Sequence, residues 1–337
     1  MAFHVAVKLL CFVLLVWLQL VSAEIPVASS RPIAKHGCPE KCGNVSIPYP
    51  FGIGDGCFVN EWFEIRCNQS LLGDRKPTTA IGDFNVSNIS ILDGFMTTVV
   101  YTSTNCSGDK IKNYTYSSPS LYKFTFSTTK NKLIAIGCNI YAYIEQGSNT
   151  YAATKCTTTC NKPEDATYGS CTGIGCCQTS IPAGTAGYYV AVRPLPERPP
   201  VNTCNYGFLA EASSFNFSSA YMKDFKNSGT GMVPVVIDWS IGYETCDGVI
   251  NSTLYACGPD AECIASNNGI GYRCSCKKGY EGNPYLNSTK TGGCQEIDEC
   301  HTSKPCGISG ICTNTRGSYT CYCPPSFSSG TRGGEYY

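Results

Sequence analysis

The apolar residues of this chain fall into short segments separated by turn-forming residues. The longest apolar run spans residues 9–20 and is followed by Val21-Ser22-Ala23, which is typical of a secretory cleavage site. A run of about 12 residues is shorter than the roughly 20 that an apolar helix needs to cross a bilayer. We therefore predict a signal peptide over residues 1–23, with a signal anchor as the alternative.

The pattern after the signal peptide predicts short strands and no long amphipathic helix. Residues 121–126 alternate, with Tyr122, Phe124 and Phe126 on one face, which is typical of a strand. Residues 233–239 predict a buried strand that begins near a proline, and the Pro-rich stretch 193–200 predicts an extended connector. No later stretch is apolar for long enough to predict a transmembrane segment, so we expect the chain to end outside the cell.

Cysteine constrains the fold most strongly. The chain has 24 cysteines in 337 residues, a density that fits an oxidising compartment. The close pairs Cys274/Cys276 and Cys321/Cys323 indicate two modules of about 40 residues, which need disulfides because they bury too little core. Their cysteines are, in order, Cys246, Cys257, Cys263, Cys274, Cys276 and Cys294, then Cys300, Cys306, Cys312, Cys321 and Cys323. The spacing resembles the epidermal-growth-factor (EGF) module, and the resemblance implies that first pairs with third, second with fourth and fifth with sixth.

Two cysteine positions carry further expectations. No sixth cysteine follows Cys323, so the second module is expected to be truncated and Cys323 unpaired. The neighbours Cys176 and Cys177 are expected to have different partners, because a disulfide between adjacent residues is strained. In a secreted chain such closely spaced cysteines favour disulfides over metal ligands.

Charge and sequons indicate an extracellular surface. Lys plus Arg equals Asp plus Glu at 25 each, so no overall field attracts nucleic acid or an anionic membrane. Several Asn-X-Ser/Thr sequons accompany the signal peptide and predict a glycoprotein. The predicted glycosylation sites are Asn44, Asn68, Asn85, Asn88, Asn113, Asn216, Asn251 and Asn287. Asn105 also begins a sequon, but its middle residue is Cys106, which makes it the weakest candidate.

Several motifs follow one another in an order that resembles a known family. They are Cys-Gly-Asn-Val-Ser-Ile-Pro-Tyr-Pro-Phe-Gly-Ile at 42–53, Gly-Cys-Cys-Gln at 175–178, Cys204 with Phe208-Leu209, Val-Val-Ile-Asp-Trp at 235–239, and Gly-Asn-Pro-Tyr at 282–285. This set resembles the extracellular region of the plant wall-associated receptor kinases, which opens with a galacturonan-binding domain. The resemblance covers the mature chain but includes neither the transmembrane helix nor the kinase that full-length members carry.

The resemblance implies a mainly β, disulfide-rich, extracellular multi-module protein. The expected parts are a signal peptide at 1–23, a cysteine-rich galacturonan-binding-like domain at 24–200, a β-rich connecting segment at 201–245, a first EGF-like module at 246–294, and a truncated calcium-binding EGF-like module at 296–337. The implied function is binding of pectic polysaccharide at the cell wall, without catalysis.

The second EGF-like module resembles the calcium-binding EGF pattern, whose oxygen ligands suit Ca²⁺. The resemblance implies side-chain ligands at Glu296, Glu299 and Asn314, and backbone carbonyl ligands at Ile297, Thr315 and Ser318. Family members usually have Asp or Asn at the position of Glu296. The alternative is a module that keeps the motif and binds calcium weakly.

A lysine-rich stretch between Cys106 and Cys138 is the candidate surface for the polysaccharide. Lysine charge would pair with galacturonate carboxylates, and aromatic rings would stack against the sugar faces. The candidate residues are Lys110, Lys112, Lys123, Lys130 and Lys132 with Tyr114 and Tyr116. The alternative is that the aromatic side chains are core and that the lysines are only their solvated side.

Catalysis is disfavoured, because the mature chain has only His36 and His301 as candidate neutral-pH bases and Glu61/Glu64 have no evident cleft. Two further hypotheses stay open. The chain is a fragment of a transmembrane Ser/Thr receptor kinase at the plasma membrane, or its EGF-like modules bind extracellular proteins.

Overall fold

The computed structural model describes residues 32–69, 73–106, 115–121, 123–145, 154–201, 204–225, 231–287, 291–308 and 310–322. The predicted signal peptide lies outside the described residues, as do Lys110, Lys112, Asn113, Tyr114, Tyr122 and Cys323. The elements below belong to the unit Ile33–Tyr337, and the other unit is Met1–Pro32.

The described residues form mostly short strands. In chain order these are β1 (Lys41–Cys42), β2 (Val45–Ser46), β3 (Ile65–Gln69), β4 (Arg75–Thr79), β5 (Asn85–Ser90), β6 (Phe95–Tyr101), β7 (Ser103–Cys106), β8 (Tyr116–Ser117), β9 (Thr125–Phe126), β10 (Asn131–Ile136), β11 (Ile140–Glu145), β12 (Thr154–Thr158), β13 (Cys176–Thr179), β14 (Tyr189–Pro194), β15 (Cys204–Glu211), β16 (Met232–Asp238), β17 (Ala261–Ala265), β18 (Tyr272–Cys276), β19 (Tyr280–Glu281), β20 (Gln295–Glu296), β21 (Ile311–Thr315) and β22 (Ser318–Tyr322). The helices are single turns at α1 (Tyr221–Asp224), α2 (Cys246–Val249) and α3 (Glu299–Thr302), with 3-10 turns at Glu61–Phe63 and Pro163–Asp165. The predicted mainly β, disulfide-rich fold is confirmed. Within the described ranges, no helix is long and apolar enough to span a membrane.

Three larger sheets carry the core. A six-stranded sheet has the order β3-β4-β5-β6-β16-β9, and two four-stranded sheets have the orders β13-β10-β15-β7 and β12-β11-β14-β8. The small sheets are β1-β2, β17-β18, β19-β20 and β21-β22. The last three are the hairpins and short ladders of the EGF-like region.

The segment after residue 200 supplies interior strands to two of these sheets. β16 pairs antiparallel with β6 from Met232↔Tyr101 to Asp238↔Phe95. β15, which is buried except at its last residue, lies between β10 and β7. The segment 201–245, expected to be a connector, therefore contributes to the same sheets as the residues before it.

A proline is tolerated in β16 because its other edge is mostly open. β16 pairs with β9 only at Ile237↔Phe126 and Asp238↔Thr125, so Pro234 faces no second strand. Asn131 partly takes the place of that strand. Its Nδ2 donates to the carbonyl of Val236 at 2.6 Å, and its Oδ1 accepts from the N–H of Val236 at 2.9 Å.

The alternating stretch 121–126 forms less strand than its pattern predicts. Among the described residues of this stretch, which exclude Tyr122, Thr125–Phe126 is the strand. Phe124, Thr125 and Phe126 are all buried, so both faces are covered rather than one. The stretch 193–200 is also less of a connector than predicted, because its first two residues complete β14.

Disulfides hold every part of the described fold. In the first part they join Cys38–Cys57, Cys42–Cys67, Cys106–Cys204, Cys138–Cys160, Cys156–Cys177 and Cys171–Cys176. In the EGF-like modules they join Cys246–Cys263, Cys257–Cys274, Cys276–Cys294, Cys300–Cys312 and Cys306–Cys321. The second set has the pairing that the EGF resemblance implies, and Cys176 and Cys177 have different partners.

Candidate functional site

Three sequence motifs that lie far apart in the chain meet in one buried aromatic cluster. Phe51 of the first motif packs edge-on against Trp239 at 5.3 Å between ring centroids. Phe63 lies 4.9 Å from Phe51 and 5.9 Å from Trp239. Tyr285 of the Gly-Asn-Pro-Tyr motif lies 6.0 Å from Trp239. These rings join the first domain to the first EGF-like module, so the motifs share a structural role at this junction.

The junction is also closed by a buried asparagine. Asn283 is 3% exposed. Its Nδ2 donates to the carbonyls of Ile33 at 2.9 Å and Tyr49 at 2.7 Å, and its Oδ1 accepts from the N–H of Tyr285 at 3.0 Å. Both N–H donors of this amide and one of the two acceptor positions of its oxygen are engaged, which is typical of a structural clasp.

A second set of contacts holds the module's hairpin β17-β18 against the first domain. Ile241 and Tyr272 exchange backbone hydrogen bonds of 2.8 and 3.1 Å. The guanidinium of Arg273, which is 6% exposed, donates to the carbonyl of Leu92 at 3.0 Å and to Asn267 Oδ1 at 3.0 Å. Asn267 Nδ2 in turn donates to the carbonyl of Asp93 at 2.6 Å. The module is thus fixed at more than one point.

Burial raises the pKa of the junction tyrosines. Desolvation raises the pKa of Tyr49, Tyr272 and Tyr285 above the usual range of a phenol. A phenol is already neutral at physiological pH, so burial only extends the pH range in which these hydroxyls act as neutral hydrogen-bonding groups. The Tyr272 hydroxyl donates to the carbonyl of Leu254 at 2.9 Å and accepts from the N–H of Ala256 at 2.8 Å.

The predicted lysine and aromatic surface is only partly in place. Tyr116 is 8% exposed and packs against Tyr188 at 5.7 Å, so it is core and has no ring face to offer a polysaccharide. The burial of Tyr116 therefore contradicts the prediction that it is a ligand-binding residue. Lys110, Lys112 and Tyr114 lie outside the described residues.

The remaining lysines have different environments. Lys123 Nζ lies 4.4 Å from the ring centroid of Tyr243 and 5.6 Å from that of Trp62. Lys130 Nζ lies 4.5 Å from the Phe95 ring. Lys132 Nζ donates to Ser180 Oγ at 2.9 Å. Each of these three lysines contacts different neighbours. Of the three, Lys123 is the one that lies beside the aromatic junction.

The predicted calcium ligands come from the start of the second module and from its hairpin. Glu296 lies in β20, Glu299 begins α3, and Asn314 lies in β21. Asn314 Nδ2 donates to both carboxylate oxygens of Glu296, at 3.1 and 3.0 Å. Thr315 Oγ1 donates to the carbonyl of Ser318 at 2.9 Å, which closes the turn between β21 and β22. Two of the predicted side-chain ligands are therefore in direct contact.

The donor set fits a hard cation. Glu299 Oε2 is buried and has no hydrogen-bond partner among the described residues, which leaves an anionic oxygen to be satisfied. Carboxylate, amide and carbonyl oxygens are the ligands that Ca²⁺ takes. Within the described ranges, no group of three or more His, Cys, Asp or Glu side chains forms a metal cluster, so amide and backbone oxygens would have to complete a shell. Calcium bound here would supply charge and rigidity at the start of the module.

Most of the predicted glycosylation sites in the described ranges are accessible. Asn44, Asn68, Asn88, Asn216, Asn251 and Asn287 are exposed. Asn85 is half-buried. Asn105 is also half-buried, and its side chain donates to the carbonyl of Val192 at 3.4 Å. This hydrogen bond is a second reason, besides the cysteine at the middle position, to regard Asn105 as the weakest candidate sequon.

Comparison with known proteins identifies the relatives of this chain. The family described as wall-associated receptor kinase galacturonan-binding matches residues 38–100, and the calcium-binding EGF domain matches residues 296–335. Wall-associated receptor kinase 2 of Arabidopsis thaliana is 35% identical over 86% of this chain and 38% of its own length. Over most of its length, the chain is a homologue of the wall-associated receptor kinases. Wall-associated receptor kinase 5 of the same plant is 32% identical over 96% of this chain and 42% of its own length. The chain thus spans about two fifths of the length of these relatives.

The residues at and beside the junction lie partly inside and partly outside the matched galacturonan-binding region. Tyr49, Phe51 and Asn60 lie in the matched galacturonan-binding region, whereas Lys123 and Tyr243 lie outside it. Sequence reasoning identified the motif that contains Asn283 without predicting its role. It did not single out Trp62 and Tyr243, whose rings lie beside Lys123, because isolated aromatic residues carry no distinguishing signal.

Proposed function

We propose that this chain binds de-esterified pectic polysaccharide, a galacturonan, at the plant cell wall and does not transform it. The observation that carries the proposal is the match of residues 38–100 to the galacturonan-binding family. Neither matched family is catalytic by its description. The homology to wall-associated receptor kinases supports an extracellular location, at the plasma membrane if the chain is part of a receptor.

The structure of the matched region suits a rigid binding surface. Residues 38–100 include β1 to β6 and the disulfides Cys38–Cys57 and Cys42–Cys67. Arg75 and Lys76 on β4 are exposed. Because each galacturonate ring carries one carboxylate, exposed cations on a rigid sheet would favour the acid form over the methyl ester.

Retention of the full chain on immobilised polygalacturonate tests this function. We expect retention on the acid form, weaker retention on a fully methyl-esterified matrix, and elution by salt, because exposed charges are screened within about 10 Å at 0.1 M ionic strength. Chelation of calcium controls for cross-linking of the polysaccharide itself. Recovery of soluble oligogalacturonide with unchanged length checks that the chain only binds. Equal retention on both matrices would contradict the proposal.

We also propose that the second EGF-like module binds calcium through Glu296, Glu299 and Asn314, with the carbonyls of Ile297, Thr315 and Ser318. The match of the calcium-binding EGF domain and the unpartnered Glu299 Oε2 support it. Calcium-dependent thermal stability of the full chain is the test.

A second candidate function is protein binding by the EGF-like modules. Its support is a group of exposed apolar side chains in the second module, namely Ile308, Ile311, Tyr319 and Tyr322. Cross-linking of the secreted chain to extracellular proteins, lost when Ile311 and Tyr322 are replaced by Ser, would support it.

A further inference from the structure

A cleft opens beside the aromatic junction, between the first domain and the first EGF-like module. Its volume is about 520 Å³, within the roughly 300–1,000 Å³ of small-molecule sites. Tyr49 and Asn60 of the galacturonan-binding region line it together with Tyr243, Tyr255 and Tyr272. Lys123 and Glu244 are the charged residues of its described lining.

We propose that this cleft is a subsite for a short, uronic-acid-bearing saccharide, a proposal that rests on the galacturonan binding proposed above. The subsite would extend the ligand contact from the galacturonan-binding region to the first EGF-like module. It does not coincide with the sequence-predicted surface, of which it contains only Lys123.

The tyrosine rings in the walls of the cleft differ in how far they are exposed to solvent. Tyr255 and Tyr272 are stacked, with ring centroids 6.2 Å apart and an interplanar angle of 11°. Hydrogen bonds of its hydroxyl to Leu254 and Ala256 hold Tyr272 in place. Tyr243 is 64% exposed at the mouth. Because Tyr272 is 1% exposed, it only supports Tyr255 from behind, and the rings left for the apolar face of a sugar are those of Tyr255 and Tyr243.

The polar groups of the cleft favour an anionic ligand that also carries hydroxyls. Lys123 Nζ lies 4.4 Å from the Tyr243 ring, and no carboxylate among the described residues forms an ion pair with it. A ligand carboxylate would therefore be its charge partner. Asn60 Oδ1 accepts from the N–H of Trp62 at 3.1 Å, so the amide nitrogen of Asn60 is its donor toward a ligand hydroxyl. Because Glu244 also lines the cleft, the match to one uronate unit rests on the position of Lys123 beside two aromatic rings and not on a net positive charge.

Calorimetric titration of the full chain with a galacturonic acid trimer tests the subsite. The variants are Lys123→Gln and Tyr243→Ala, both at partly or largely exposed side chains, and thermal unfolding checks that they fold. The matched control is Lys155→Gln, which removes another lysine held over an aromatic ring, that of Tyr141, but outside the cleft. We expect the Kd to rise about threefold for Lys123→Gln, at least about fivefold for Tyr243→Ala, and little for Lys155→Gln.

Chemical footprinting of the native chain, which needs no variant, is the second measurement. The trimer should slow acetylation of Lys123 relative to Lys155, as measured by mass spectrometry of the native chain. An acidic peptide of equal charge should neither displace the trimer nor give this protection. Displacement of the trimer by the peptide would indicate that the cleft binds an acidic protein segment rather than a saccharide. That result would overturn the proposal.

The outcomes separate this proposal from the function on which it rests. If the chain binds the trimer but the cleft variants bind like wild type, the cleft is wrong and galacturonan binding stands. The same holds if only long polygalacturonate binds. If neither trimer nor polymer binds, both proposals fail.

Discussion

Replacement of Asn283 by Ala tests how the first EGF-like module is held. The change removes hydrogen bonds to the carbonyls of Ile33 and Tyr49 and to the N–H of Tyr285, at distances of 2.7 to 3.0 Å. It leaves the carbonyl of Tyr49 and the N–H of Tyr285 without this partner beside the aromatic cluster, whereas the carbonyl of Ile33 keeps the hydrogen bond from the N–H of Tyr49 at 2.9 Å. We expect a loss of stability that an exposed asparagine would not cause.

The magnitude follows from burial. A buried polar group left without a partner costs about 1–3 kcal/mol. Ile33 and Tyr49 are only partly buried, so water can reach some of their carbonyl surface. We therefore expect the free energy of unfolding to fall by about 2–4 kcal/mol rather than by the full sum, which corresponds to a Tm lower by about 4–8 °C.

Thermal and urea unfolding of the oxidised full chain measure the effect. The matched control is Asn161→Ala, because Asn161 is exposed and its hydrogen bond to Asp165 is made by the backbone N–H, which the variant keeps. We expect the control to lose less than about 1 kcal/mol. Equal losses in the two variants would refute the reasoning that the buried clasp holds the junction.

Three further predictions concern other buried or charged groups. Asn131→Ala should lower the free energy of unfolding by about 1–3 kcal/mol in urea, because the N–H of Val236 loses its partner while its carbonyl keeps the hydrogen bond from the N–H of Ser127 at 2.9 Å; an unchanged midpoint would argue against this edge contact. Desolvation by burial raises the pKa of Asp238, so its contribution to stability is full below the unfolded pKa of about 4 and is lost as pH rises through the folded pKa. Asp238→Asn should flatten the dependence of Tm on pH in that interval, and an identical pH profile would contradict the assignment. At a calcium concentration about a hundred times the Kd, binding should stabilise the second module by about 2.7 kcal/mol; Asn314→Ala should remove most of this increase, and a chelator-insensitive Tm in wild type would argue against the site.

Local sequence patterns predicted the elements whose residues lie close together in the chain. The apolar run around Val235 forms β16, because consecutive β-branched residues suit a strand buried on both faces. The pairing seen in the EGF-like modules is the one that the EGF resemblance implies, whereas six cysteines by their spacing alone permit about 15 pairings. The family motifs were recognisable although their roles were not.

The parts that failed depend on contacts between distant residues. Alternation at 121–126 indicated two faces, but it could not show that a second layer covers the other face and buries Thr125. Tyr116 was assigned to a surface for the same reason. The contact of Asn283 with Tyr49 joins residues 234 positions apart, and no local pattern specifies such a pairing. The cleft beside it likewise exists only after the two domains have packed.

Titration of the full chain with a de-esterified oligogalacturonide, at low and high salt and beside its fully methyl-esterified counterpart, tests the central claim most directly. The account predicts saturable binding of the acid form that weakens as ionic strength rises, because lysine and arginine charges contribute to it. It predicts distinctly weaker binding of the ester, which has lost the carboxylates. Absence of binding, or equal binding of acid and ester at both salt concentrations, would contradict it.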